Sequence, residues 1–113
     1  MTDIATINIA KDFSAMPVGR YEDDGDYSGQ VFREKILVPW LEKGIRIIID
    51  LEGLIGVGSS FLEEAFGGLV RVNGFMVERL HALLEIVPED DDYHQEIWEY
   101  INEAQQRKTH GKA

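Results

Sequence analysis

The sequence lacks cysteine, which excludes disulfides, thiol chemistry and cysteine-based zinc sites. It is also poor in positive charge, because 11 lysines and arginines stand against 21 acidic residues and give a formal net charge of −10. Nucleic acids and anionic membrane surfaces attract clustered cations, so we expect neither as a partner. No apolar run reaches the roughly 18 residues that a membrane-spanning helix requires.

Signals for export and for metal binding are missing as well. The first residues contain no basic region followed by an apolar block, so we expect no signal peptide and a cytoplasmic protein. The three histidines are widely spaced, and the acidic run at residues 22–26 lacks the spacing of a calcium loop. We therefore expect no metal site, and nothing in the composition indicates a cofactor.

What the chain does have is the length and apolar content of one domain. Its 113 residues are 44% hydrophobic, enough for one core over residues 1–113, with a frayed basic tail at 107–113. The predicted elements are a strand over 4–9, a helix from Ser28 to Gly44, a strand over 45–51, a helix from Ser59 to about residue 72, a helical turn over 75–80, a strand over 81–87 and a helix over 93–104. This β-α-β-α-β-α order predicts a single small α/β domain with a parallel or mixed sheet flanked by helices.

The most informative stretch joins the second strand to the second helix. Residues 45–51 are almost continuously apolar, which is typical of a central strand buried on both faces, so we predict that Ile48→Asp prevents folding. Glycines and serines then break the strand and open the next helix. Open α/β sheets place their sites at the carboxyl ends of strands, beside a helix N-terminus. Residues 56–66 are therefore the first candidate for a functional surface.

Several polar residues at this junction allow two interpretations. Ser59 and Ser60 either cap the helix or form a regulatory or anion-binding position. A phosphate-binding loop would need a lysine, and a dinucleotide fingerprint a third glycine, so nucleotide binding is weakly indicated. Asp50 is either a catalytic carboxylate or magnesium ligand or, as we favour, an acceptor for turn amides. Glu63 and Glu64 are expected from the helix dipole alone.

The loop at residues 17–28 is long and has no predicted structure, a pattern that is often functional. It carries Arg20, one of the few cations of the chain, and Arg33 follows in the next helix. We expect these arginines to pair with Asp24 or Glu34, or to face a partner.

Two stretches of the sequence carry a family resemblance. The first, residues 13–37, contains Pro17-Val18-Gly19-Arg20, Asp24-Gly25, Ser28-Gly29 and Phe32-Arg33-Glu34. The second contains Ile48-Ile49-Asp50-Leu51 and Ser60-Phe61-Leu62-Glu63-Glu64-Ala65-Phe66-Gly67. Together they resemble the STAS-like domain family of unknown function, whose members look like relatives of STAS domains, the fold of anti-sigma-factor antagonists.

The resemblance implies a fold, a role and a partner. In the antagonists, the first serine of an Asp-Ser-Ser-Gly turn is phosphorylated by a kinase of the histidine-kinase-like ATPase type. Laid on this sequence, that serine falls on Ser59, the preceding Asp on Gly58 and the following Gly on Phe61. The resemblance therefore implies a STAS-like fold, a protein-binding role and a histidine-kinase-like ATPase as partner.

Our hypothesis from the sequence is a non-enzymatic regulator that binds a partner protein through residues 56–66 and the loop at 17–28. The expected partner-binding or phosphorylation residues are Ser59, Ser60, Gly58, Phe61, Glu63 and Arg20. One alternative is a small nucleotide- or anion-binding protein or enzyme that uses Asp50, Ser59 and the acidic loop. A second alternative is a homo-oligomeric module, such as a homodimer, with exposed Phe or Trp side chains at its interface.

Overall fold

Three short strands form one parallel sheet in the computed structural model, which describes residues 3–110. They are β1 (Ile4–Asn8), β2 (Arg46–Asp50) and β3 (Leu84–Val87), and they lie in that order across the sheet. In the central strand β2, Ile49 lies beside Ile7 of β1 and Ile86 of β3. The predicted α/β class and the parallel sheet are confirmed.

Helices fill most of the remaining chain. They are α1 (Ile9–Asp12), α2 (residues 29–42), α3 (residues 59–71), α4 (Val77–Leu83) and α5 (Asp92–His110), with a 3₁₀ turn at Glu22–Asp24. Both α2 and α3 contain a wide π-helical turn in the middle, Arg33–Leu37 in α2 and Glu63–Gly67 in α3. Such turns are rare and frequently lie at functional sites. Within residues 3–110, no helix combines the length and apolar character needed to cross a membrane.

The helix starts follow from local sequence. The Ser28 hydroxyl accepts a hydrogen bond from the Val31 amide at 3.3 Å, so the predicted N-cap of α2 is confirmed. At the start of α5, the Asp91 carboxylate accepts one from the Tyr93 amide at 2.8 Å. The acidic run that precedes α5 therefore supplies a cap, as its position predicts.

Only one face of the sheet is fully covered among the described residues. Ile47 and Ile49 are completely buried, whereas Ile48, which points to the other face, is half-buried. On that second face, Ile4 of β1 is 60% exposed. The expectation that β2 is buried on both faces is therefore wrong, because a continuous apolar run also occurs in a strand with one covered face. The loss of folding expected from a buried carboxylate is therefore expected for Ile49→Asp, because the Ile49 side chain is completely buried.

Two other expectations need correction. Residues 81–83 belong to helix α4, not to the third strand, which begins only at Leu84. The run from His81 to Val87 is apolar almost throughout, and such a short run does not distinguish helix from strand. The expected frayed tail is helical over residues 107–110, because α5 extends to His110. Residues 111–113 of that tail lie outside the described residues.

Candidate functional site

The loop that leaves the central strand is held by polar side chains at the strand ends. The Asp50 carboxylate accepts a hydrogen bond from the Glu52 amide at 3.0 Å. From the neighbouring strand β1, the Asn8 side-chain amide donates to the Glu52 carbonyl at 3.0 Å. Asp50 thus acts as an acceptor for a turn amide, the interpretation that its position at a strand end favours.

Ser59 lies where the sequence predicts it, as the first residue of α3, and it is exposed together with Ser60. The N-cap position, however, is held by Gly58, which has an extended backbone and no side chain to make a capping hydrogen bond. The interpretation of Ser59 and Ser60 as capping serines is therefore wrong. Both side chains lie at the surface of the junction instead.

The neighbourhood of Ser59 includes a tyrosine of α5. Burial, followed by its 2.8 Å hydrogen bond to the Glu96 carboxylate, raises the pKa of Tyr100 to about 12, and the nearby Ser59 hydroxyl acts in the opposite direction. Tyr100 is consequently neutral at physiological pH, with its proton engaged by Glu96. It is not placed to act as a general base toward Ser59.

The loop at residues 13–28 packs beside this junction. The Ile55 amide donates a hydrogen bond to the Ala15 carbonyl at 2.9 Å and so joins the two loops directly. Behind this contact, the rings of Tyr27 and Phe13 meet edge to face at 5.4 Å, and Phe13 lies 6.1 Å from Phe61 in the first turn of α3. The predicted adjacency of residues 56–66 and 17–28 is confirmed by the ion pair between Arg20 and Glu63.

Large apolar side chains are exposed where the two loops meet. Ile55 is 75% exposed, Met16 61% and Tyr27 51%. We call these three residues, with Ser59 and Ser60, the junction surface. Exposed apolar patches often mark interaction sites. The hydrogen bond between Ile55 and Ala15 brings Ile55 next to the chain segment that carries Met16.

A cluster of five charged side chains connects α2, α3 and the loop at residues 13–28. At its centre, the Arg33 guanidinium contacts both the carboxylate and the carbonyl oxygen of Glu64, each at 2.6 Å. The side chains of this pair are only 2% and 4% exposed. Arg20 pairs with Glu63, and Arg71 pairs with both glutamates.

This cluster revises the expected role of each charge. The Arg20 guanidinium pairs with Glu63 and not with Asp24, whose carboxylate accepts the Arg20 backbone amide instead. Arg33 does reach Glu34 at 3.4 Å, but its short contacts are to Glu64. Glu63 and Glu64 therefore serve as ion-pair partners, beyond any interaction with the helix dipole.

The pKa values at the partly exposed side of the cluster agree with this pairing. Burial on its own would raise the pKa of Glu63, but hydrogen bonds from Arg71 and Arg20 outweigh it and hold that pKa below the usual range. The hydrogen bond to Glu63 in turn raises the pKa of Arg20. Both groups are therefore charged at neutral pH, and their ion pair attaches the loop at residues 13–28 to α3.

Two glycines allow helices α2 and α3 to approach this closely. A Cβ at Gly29 would lie 2.5 Å from the Phe61 carbonyl oxygen, a backbone atom that cannot move aside independently. A Cβ at Gly68 would collide with the Arg33 guanidinium. The glycines are thus required by the contact between the helices, a role that periodicity along the sequence does not reveal.

The two stretches that carry the family resemblance are therefore the two sides of one contact. Gly29, Phe32 and Arg33 of α2 meet Phe61 and Glu64 of α3. Residues 28–94 match the family described as STAS-like domain of unknown function (DUF4325). The chain belongs to this family. No curated protein and no solved structure matches the chain.

Only part of the junction surface lies within the matched STAS-like region. Ile55, Ser59 and Ser60 are inside residues 28–94, whereas Met16 and Tyr27 precede it. The ion pair between Arg33 and Glu64 also lies inside it. The ion pair between α2 and α3 is thus part of the region shared with the family. Met16 and Tyr27 come from a loop outside that region.

Not every expected contact residue of the STAS-like domain is at its surface. Phe61 is completely buried and its ring packs against the rings of Phe13 and Phe32, so it is not available to contact a partner. The charged groups of Arg20 and Glu63 form an ion pair with each other inside the domain. Ser59, Ser60 and Gly58 remain exposed. The apolar helical stripe, which already includes Phe61, was the signal that this residue belongs to the core.

Neither a metal cluster nor a surface pocket is found in the part of the chain that the structure describes. No three histidine or acidic side chains lie close enough there to hold one ion. In the acidic loop, the Asp24 carboxylate accepts hydrogen bonds from the Arg20 and Tyr21 amides at 3.1 and 2.9 Å. That carboxylate has a structural role in shaping the loop.

Proposed function

We propose that this STAS-like domain is a non-enzymatic regulator in the cytoplasm that binds a partner protein through the junction surface. The observation that carries the proposal is the exposure of Ile55, Met16 and Tyr27 on two loops that a backbone hydrogen bond joins at Ile55 and Ala15. Burying an aliphatic side chain of this size contributes about 1.5–3 kcal/mol, so a few such residues are sufficient to anchor a partner. The ion pair between Arg20 and Glu63 attaches the loop that carries Met16 and Tyr27 to α3 before binding.

The family resemblance supports a particular class of partner. By that resemblance, Ser59 falls at the position at which STAS antagonists are phosphorylated by histidine-kinase-like ATPases, and the residue is exposed. An ATPase of that type is accordingly our proposed partner. A phosphate or carboxylate at Ser59 would add negative charge close to Glu96, on which Tyr100 depends. Such a charge is expected to alter the surface that the partner contacts.

The alternatives from the sequence receive less support. The Asp50 carboxylate is engaged by a turn amide, and Ser59 has a neutral phenol beside it in place of a general base. A homo-oligomer built on exposed Phe or Trp does not fit either, because every Phe and Trp of the chain is at least half-buried. Trp98, for example, stacks on His81 with ring centroids 4.2 Å apart.

The proposal can be tested by calorimetry against a histidine-kinase-like ATPase from the same organism. We expect Ile55→Ser to weaken binding roughly 10- to 100-fold, since it removes about 1.5–3 kcal/mol of apolar burial. Ser59→Glu is expected to weaken binding as well, and both variants should melt close to the wild-type temperature because the residues are exposed. The matched control is Met76→Ser, which removes a 51% exposed apolar side chain outside both loops.

The control variant should bind like the wild type. If Ile55→Ser and Ser59→Glu both retained full affinity, the junction surface would not be the contact region. An equal loss of affinity in Met76→Ser would point to a general effect of surface hydrophobicity.

A further inference from the structure

Exposed acidic side chains lie in the same two loops that carry the apolar residues of the junction surface. Exposed Glu22, Asp23 and Asp26 lie in the loop that also carries Met16 and Tyr27, and exposed Glu52 begins the loop that carries Ile55. In residues 11–28 and 51–60 together, six acidic residues stand against two cations, Lys11 and Arg20. Since Arg20 is already paired with Glu63, the charge left around the surface is strongly negative.

The acidic loop is held in a fixed shape by hydrogen bonds and an ion pair. The Asp24 carboxylate binds two backbone amides, and the Gln30 side chain accepts the Glu22 amide at 2.9 Å. The Gly29 amide donates to the Gly19 carbonyl at 3.0 Å and ties the base of the loop to helix α2. A charged loop that is ordered before binding loses less conformational entropy when a partner docks.

We propose that the junction surface recognises a basic amphipathic segment of a partner protein, in which apolar anchor residues are flanked by Lys or Arg. This inference rests on the proposed function and adds the chemistry of the partner. Apolar anchors would cover Ile55, Met16 and Tyr27, and the cations would face Glu22, Asp23 and Asp26. Complementary charge at the rim of an interface speeds association and rejects wrong partners.

The negative charge of the chain also favours a basic protein segment over a second copy of the chain or a lipid surface as the binding partner. A second copy of the chain would bring an equally acidic rim against the first, and each copy carries a formal charge of −10. An anionic lipid surface would be repelled in the same way. A basic protein segment is the occupant that satisfies both the apolar centre and the acidic rim.

Three synthetic peptides of equal length and spacing would test the inference by nuclear magnetic resonance of the isotope-labelled full chain at physiological salt. The first combines Leu with Lys, the second replaces Lys by Glu, and the third replaces Leu by Ser. We expect the Leu/Lys peptide to bind at least about tenfold more tightly than either of the others. Its amide shifts should centre on Met16, Tyr27 and Ile55.

Two pairs of variants distinguish local recognition from the net charge of the chain. Asp23→Asn with Asp26→Asn should weaken binding of the Leu/Lys peptide about three- to tenfold, since exposed ion pairs are individually weak. Glu89→Gln with Asp90→Asn removes the same charge from an exposed acidic run elsewhere and should leave affinity nearly unchanged. Ile55→Ser should weaken binding, and Met76→Ser should not.

Several outcomes would overturn the inference. They are equal binding of the Lys and Glu peptides, shifts that centre away from the junction surface, and equal losses in the two charge variants. Concentration-dependent dimerisation that Ile55→Ser abolishes would identify a second copy as the occupant. If the peptides failed in this way while Ile55→Ser still weakened binding of a natural partner, the proposed function would stand and only the basic chemistry would be wrong.

Discussion

Replacing Glu64 with glutamine is expected to lower the free energy of unfolding by about 3–5 kcal/mol, because it removes the buried carboxylate that lies 2.6 Å from the Arg33 guanidinium. The two side chains are 2% and 4% exposed and contact each other at 2.6 Å. The Arg33 Nε has no hydrogen-bond partner among the described residues, and the guanidinium then keeps only the Glu64 carbonyl oxygen at 2.6 Å and the exposed Glu34 carboxylate at 3.4 Å. Urea unfolding followed by circular dichroism measures the effect.

The matched control is Glu85→Gln, which breaks the exposed ion pair between Arg46 and Glu85. These side chains contact each other at a similar 2.7 Å but are 45% and 43% exposed. Because solvent screens such a pair, the loss should stay below about 1 kcal/mol. Similar losses in Glu64→Gln and Glu85→Gln would show that burial of the Arg33–Glu64 pair is not decisive.

A double replacement distinguishes the effect of an unpaired buried charge on stability from the effect of lost packing between α2 and α3. Arg33→Met with Glu64→Leu removes both buried charges and keeps apolar volume between the helices. We expect it to recover most of the stability that Glu64→Gln loses, since exchanging a whole buried pair for apolar residues is often nearly neutral. If the double variant were less stable than Glu64→Gln, the wider network with Arg20 and Arg71 would be the main source of stability.

Ile49→Asp is the second substitution with a large expected effect. Its side chain is completely buried on the covered face of the central strand, so an unpaired carboxylate there should cost several kcal/mol. That approaches the whole stability of a domain this size, about 5–15 kcal/mol, and the variant should be largely unfolded at room temperature. Loss of the cooperative thermal transition is the measurement.

The adjacent substitution Ile48→Asp provides the comparison. Ile48 is half-buried on the second face of the sheet, where the new carboxylate retains access to water. We expect this variant to fold, with a lower melting temperature than the wild type. If Ile48→Asp abolished folding just as Ile49→Asp does, the second face would have to be covered as well.

The local features of this domain were predictable from sequence because they depend on neighbouring residues. The Ser28 cap, the alternation of strands and helices along the chain and the position of Ser59 after the central strand all follow from short-range patterns. The boundary between α4 and β3 could not be predicted in this way, since the apolar run that crosses it is compatible with a helix and with a strand. Which face of β2 is covered depends on the packing of distant helices and has no signature within the strand.

The arrangement of charges could not be predicted for a related reason. Arg33 and Glu64 are 31 residues apart, and each has acidic or basic neighbours that offer local partners. Only the close approach of α2 and α3 at Gly29 brings them together. The exposure of Ile55 was likewise hidden, because an isoleucine next to a buried strand normally indicates core. In the structure its side chain is 75% exposed, while its backbone amide binds the Ala15 carbonyl of the other loop.

The central claim is that the junction surface is where this STAS-like domain contacts its partner. The most direct measurement places a photo-crosslinking amino acid at Ile55 in the full chain, in the native host, and compares it with the same residue at Met76. Both positions are exposed, 75% and 51% respectively, so both variants should fold. We predict a discrete crosslinked protein from position 55 that is absent from position 76 and lost when Ser59→Glu is added. Crosslinking of the same protein from both positions, or from position 76 alone, would contradict the account.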